Sequence, residues 1–137
     1  MSKRSKRLIV VAALGVVPLS GLTPSAAVAE TPWDKRALGK FVLKVTDLGD
    51  HRTRTVLLNC VPDGGTHPAP RRACHQLRQA HGRIARIPAE PGPCTHIYRP
   101  VRVEAFGTWA GGSRAYSRQF ANHCVAVRRT GGVVFRF

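Results

Sequence analysis

Phe41-Val-Leu-Lys-Val-Thr46 decides the fold class. Phe41, Leu43 and Val45 fall on one side of an extended chain and Val42, Lys44 and Thr46 on the other. That period of two marks a half-buried strand. Val101-Arg-Val-Glu-Ala-Phe106 repeats it, with Val101, Val103 and Ala105 opposite Arg102, Glu104 and Phe106. Outward from the first strand, 47–51 contains Gly49 and reads as a turn, and 54–60, rich in apolar and β-branched residues, reads as a second strand. Gly64 and Gly65 make 62–68 a loop. Ala73, Leu77 and Ala80 recur at helical spacing; with Pro70 at the start and Gly82 just past the end, they predict a helix over 70–81. Residues 83–93 hold Pro88, Pro91 and Pro93, which excludes a central strand or long helix because proline lacks the donor both need. Beyond 101–106, the stretch 107–113 reads as a hairpin connection, 114–120 as a fourth strand, 121–129 as a short helix, and 133–137 as a fifth strand. Hairpin-linked strands with helices between the later ones predict an α+β fold on an antiparallel sheet.

The chain has 137 residues, one domain with an appendage at its N-terminus. Lys3, Arg4, Lys6 and Arg7 precede an apolar run, Leu8 to Val17, and Ala27-Val28-Ala29 ends a small-residue stretch. These are the three parts of a secretory signal peptide. The apolar run is too short for a membrane span, since ten residues of helix cover about 15 Å of a ~30 Å hydrocarbon core. Residues 1–29 are therefore expected to be a signal peptide cleaved after Ala29, 30–40 a flexible polar arm, and 41–137 the domain. The exported part carries eighteen Lys and Arg against seven acidic residues, a net charge of +11. Such charge attracts acidic polymers, but the basic residues are scattered, with no run longer than the pairs Lys35-Arg36, Arg71-Arg72 and Arg128-Arg129.

All four cysteines, Cys60, Cys74, Cys94 and Cys124, lie in the exported part. An even count in a small exported domain implies a disulfide framework, with three pairings open. Pairing neighbours would give Cys60–Cys74 and Cys94–Cys124, each contributing about 3 kcal/mol by restricting the unfolded chain.

No catalytic constellation appears. Only two serines, Ser113 and Ser117, follow residue 29, and neither sits in a G-x-S-x-G turn. Cys74-His75, Cys94-Thr95-His96 and His123-Cys124 place sulfur beside imidazole, a ligand set zinc accepts. Without a C-x-x-C or H-x-x-x-H spacing, and with export favouring oxidised thiols, neither metal nor cofactor is expected. The segment that stands out is Pro91-Gly-Pro-Cys-Thr-His-Ile-Tyr-Arg-Pro100. Prolines bracket it, a cysteine anchors it and a strand follows. This composition yields an extended loop with little freedom to relax, as a protease inhibitor needs.

Here the chain resembles the Streptomyces-type subtilisin inhibitors. The resemblance covers about 41–137 and rests on Leu58-Asn-Cys60, Gly65-Thr-His-Pro68, Ala73-Cys74 with Leu77, Cys94-x-x-x-Tyr98-x-Pro100-Val101, Gly107-x-Trp109, Tyr116-x-x-x-Phe120-x-Asn122-x-Cys124 and Val134-Phe135-Arg136-Phe137. It implies a five-stranded antiparallel sheet with two helices, the pairings Cys60–Cys74 and Cys94–Cys124, and a homodimer formed through the sheet. It also implies a reactive bond at His96–Ile97, with Pro93, Cys94 and Thr95 contacting the protease on the non-primed side and Tyr98 on the primed side. Asn122 matches an asparagine whose amide braces the loop from beneath. The expected partner is a subtilisin-like serine protease, with no nucleic acid and, once the signal is removed, no membrane. Two departures stand out. His96 occupies a position usually held by Lys, Arg or Met, so weak inhibition of trypsin is expected. An imidazole neutral at alkaline pH suits the large apolar pocket of subtilisins. The basic surface is the second departure; the alternative reading is a cationic protein binding polyanions at the cell envelope, or an inhibitor of another protease class.

Overall fold

A computed structural model of the protein describes residues 38–137. The expected signal peptide and residues 30–37 of the expected arm lie outside the described residues. The elements run β1 (Gly39–Asp47), β2 (Thr53–Cys60), β3 (Gly64–Gly65), α1 (Pro70–Gln79), a single 3-10 turn (Ile84–Arg86), β4 (Val101–Trp109), β5 (Gly112–Phe120) and α2 (His123–Arg129). The strands form one five-stranded sheet in the order β3-β2-β1-β4-β5, with every pairing antiparallel. The α+β class, a five-stranded antiparallel sheet and two helices stand as expected.

The alternation read from Phe41 onward is what the sheet uses. Phe41, Leu43 and Val45 on β1 and Val103 and Ala105 on β4 are buried on one face, where Ala73 and Leu77 of α1 pack against them. Each large side chain so buried contributes about 1.5–3 kcal/mol. The other face, with Val42, Lys44, Glu104 and Phe106, carries no helix, and Phe106 is 45% exposed. Gly39 and Lys40, expected to lie in the arm, belong to β1 and pair with β2 and β4.

Two further expectations are corrected. The hairpin connection expected over 107–113 is only the turn Ala110-Gly111, both with positive φ (48° and 78°), as the tight turn between right-twisted strands requires. Gly107 belongs inside β4, where a Cβ would collide with the backbone carbonyl of Lys40 on β1; here glycine serves close approach, not a turn. The fifth strand is the short β3, not 133–137. After α2 the chain turns through Gly131 and Gly132 (φ 91° and 83°), and Arg136 N–H donates to the Val133 carbonyl at 3.0 Å. Val133, Val134 and Phe135 are all buried in succession, so this segment fills the core with consecutive side chains instead of alternating them across a sheet.

Candidate functional site

Both disulfides are formed, Cys60–Cys74 and Cys94–Cys124, so all four sulfurs are committed to bridges. Cys60–Cys74 ties β2 to α1 inside the core, where both residues are fully buried. Cys94–Cys124 has a different task. It joins the segment 91–100 to the first turn of α2 and thereby fixes one end of an exposed loop.

Within that loop Pro93, Thr95, His96, Ile97 and Tyr98 are exposed, Ile97 by 69% and Tyr98 by 73%. A β-branched aliphatic and an aromatic held side by side in water form the kind of apolar feature that marks a contact surface. The loop spans more than it packs. Behind it lies a hollow of about 610 Å³, lined among others by Asp47, Thr95, Ile97, Arg99 and Asn122.

What keeps the span extended is Asn122. Its side chain is buried, and its Nδ2 donates to the Thr95 carbonyl at 3.0 Å and to the Ile97 carbonyl at 3.1 Å. Its Oδ1 accepts from Val125 N–H at 3.0 Å, which makes Asn122 the N-cap of α2. Both donors and the acceptor are thus used, and the two carbonyls held by one nitrogen flank His96. Thr95 Oγ1 adds a local bond, accepting from Ile97 N–H at 3.2 Å. The structure therefore brings Cys94, Thr95, Ile97 and Asn122 into one braced unit. It leaves His96 and Tyr98 projecting with no side-chain partner among the described residues.

The roots of the loop hold residues that sequence reasoning missed. On the N-terminal side Arg128 of α2 donates from Nη1 to the Pro91 carbonyl at 2.6 Å and lies 3.6 Å from Glu90, whose own N–H donates to the Arg128 carbonyl at 2.8 Å. On the C-terminal side Arg99 reaches the β1–β2 turn, with Nε on Asp47 Oδ2 at 2.7 Å and Nη2 on Asp50 Oδ2 at 3.5 Å. Arg99 N–H donates to the Ala121 carbonyl and Leu48 N–H to the Pro100 carbonyl, both at 2.9 Å. The Gly49 amide and then the Arg99 guanidinium hold the Asp47 carboxyl below the usual carboxylate value. The only sequence signal for these partners was their charge.

Residues 40–122 match the family model described as "Subtilisin inhibitor-like". The chain is 42% identical over 84 residues to "Subtilisin inhibitor-like protein 1" of Streptomyces cacaoi, covering 58% of this chain and 76% of that one. It is 47% identical over 74 residues to the "Subtilase-type protease inhibitor" of Streptomyces coelicolor, covering 53% of this chain and 51% of that one, about half its length. Among solved structures it is similar to Streptomyces caespitosus sermetstatin, crystallised in complex with Bacillus licheniformis subtilisin. That match has a TM-score of 0.58 at 29% identity and covers 72% of this chain and 98% of the other. With a matched core reaching from β1 to the asparagine under the loop, this chain belongs to the subtilisin inhibitor-like family.

Proposed function

We propose that this protein is a secreted inhibitor of subtilisin-type serine proteases whose reactive bond is His96–Ile97. The observation that carries this reading is the double donation from Asn122 to the carbonyls of Thr95 and Ile97. A loop that a protease binds must match the extended backbone of a substrate, and one already held there loses little entropy on association. Similarity to an inhibitor-like protein named for subtilisin, and to sermetstatin, solved in complex with a subtilisin, supports the partner class.

In this reading the enzyme supplies all the chemistry. Its serine attacks the His96 carbonyl, and the bond to Ile97 nitrogen breaks. Cys94–Cys124 and Asn122 keep both ends in place, so the Ile97 amine attacks the acyl–serine ester, the enzyme's serine leaves as its hydroxyl, and the peptide bond is restored. Pro93, Cys94 and Thr95 contact the non-primed side of the enzyme and Tyr98 the primed side. His96 enters the primary pocket. The chain contributes binding and no catalytic group.

Export through a signal peptide over 1–29 belongs to the same reading; no helix among the described residues is long and apolar enough to cross a membrane. So does a homodimer through the helix-free face of the sheet, supported by the exposure of Phe106 there. The deciding experiment titrates the purified secreted protein against subtilisin at pH 8, with N-terminal sequencing of any cleaved inhibitor. Stoichiometric inhibition with a new terminus at Ile97 is the expected result. Rapid digestion, or no inhibition at micromolar concentration, would overturn it.

A further inference from the structure

The β1–β2 turn is built as a receptor for the loop. Asp47 spends Oδ1 on the turn, accepting from Gly49 N–H at 2.9 Å, and Oδ2 on Arg99 at 2.7 Å. Asp50 divides in a similar way, with Oδ1 accepting from Arg52 N–H at 3.1 Å and Oδ2 shared between Arg52 Nε at 3.3 Å and Arg99 Nη2 at 3.5 Å. Each carboxylate therefore shapes the turn with one oxygen and holds the guanidinium with the other. Arg99 lies two residues beyond Ile97 and is planar, so one side chain spans both acceptors.

We propose that Arg99, gripped by Asp47 and Asp50, is a positioning residue that keeps the Ile97 amine beside the His96 acyl group after cleavage, so that the bond is remade. This rests on the inhibitor reading above. Cutting His96–Ile97 leaves the new terminus tethered by the attachments behind it. From the Arg99 side chain the tether is two residues, at most about 7 Å. The Asn122 bond to the Ile97 carbonyl and the Arg99 N–H bond to Ala121 hold the tether from the α2 side. The latch, together with the Leu48 N–H bond to Pro100, holds it from the β1–β2 turn. Restraint from two directions confines the amine, where restraint from one leaves it a swing. The Arg99 side chain is 67% exposed, so the latch is screened by salt.

The test measures the equilibrium ratio of cleaved to intact inhibitor under catalytic subtilisin. Arg99→Ala should raise that ratio about fivefold, the order expected for losing an exposed two-armed ion pair. Arg99→Lys, which keeps one arm, should fall between variant and parent. Sodium chloride at about 1 M should raise the parent's ratio toward the variant's and leave Arg99→Ala unmoved. Amide hydrogen exchange at Ile97 and Tyr98 in the free protein needs no protease and should quicken by a similar factor in Arg99→Ala. An unchanged ratio, or a raised one insensitive to both Arg99→Lys and salt, overturns the proposal, as does unchanged exchange. Should the parent fail to inhibit subtilisin, the inhibitor reading falls, while exchange still decides whether the latch orders the loop.

Discussion

Residues 91–100 and residues 130–137 are both irregular, and they are ordered by opposite means. In the first, Ile97 and Tyr98 are 69% and 73% exposed; in the second, Val134 and Phe135 are fully buried. The loop is held by its backbone, through carbonyls that Asn122 and Arg128 grip and through the Cys94–Cys124 bridge. The tail is held by its side chains, with Phe135 stacked 6.2 Å from the Tyr116 ring. Two consecutive residues serve the two segments. Asn122 binds the loop, and His123 Nε2 lies 2.8 Å from the Phe135 carbonyl. Lack of regular structure is therefore not looseness. What differs is which half of each residue is committed, and only a segment held by its backbone keeps its side chains free to be read by a partner.

The largest expected effect sets the two segments against each other. Phe135→Ala should lower the free energy of unfolding in urea by about 3–5 kcal/mol, as truncation of a buried aromatic does. Tyr98→Ala should stay within about 0.5 kcal/mol of the parent. Similar losses from both would break the comparison. Next comes the bridge. Replacing Cys94 and Cys124 together by serine should lower stability by about 3 kcal/mol and expose the loop to digestion, both readable in one urea and proteolysis series.

Asn122 sharpens the comparison, because it caps α2 with its oxygen and braces the loop with its nitrogen. Asn122→Ala removes both functions. It should cost about 1–2 kcal/mol and turn the inhibitor into a slowly hydrolysed substrate. Asn122→Asp keeps the cap acceptor and loses the donors, so it should be hydrolysed at least as fast while losing less stability. If Asn122→Asp resists hydrolysis as the parent does, the brace is not what orders the loop.

The smallest effect concerns pH and the tail alone. His67 is buried, its Nδ1 accepts from Ala69 N–H at 3.0 Å, and its Nε2 lies 3.1 Å from the Val134 carbonyl. That geometry needs the neutral ring with its proton on Nε2, and burial lowers the pKa below the ordinary 6.5. The unfolded chain takes up this proton at a higher pH than the folded one. Stability from His67 is therefore complete above about pH 6.5 and declines as pH falls below it. Denaturation midpoints at pH 7.5 and 5.5 should show the decline, and His67→Gln should reduce it.

Much of this molecule was legible in the sequence by itself. The strands at 41–46 and 101–106 followed from alternation, because a strand on a half-buried sheet must place every second side chain in the core, and those at 54–60 and 114–120 from β-branched composition and from the hairpin connection before them. The first helix followed from Ala73, Leu77 and Pro70, and the braced loop from its prolines and cysteine. Those signals are local, each imposed on one segment by one apolar surface. Tertiary structure decided the rest. It put Gly107 inside a strand, since only the nearness of Lys40 explains the missing side chain. It gave the fifth place in the sheet to Gly64–Gly65 and turned 133–137 into core filling. It also brought Arg99 to Asp47, 52 residues earlier in the chain. An arginine and an aspartate carry no mark of each other when read in order. Their pairing exists only because a sheet sets the β1–β2 turn beside the start of β4, and a contact made by such placement leaves no period for a sequence to display.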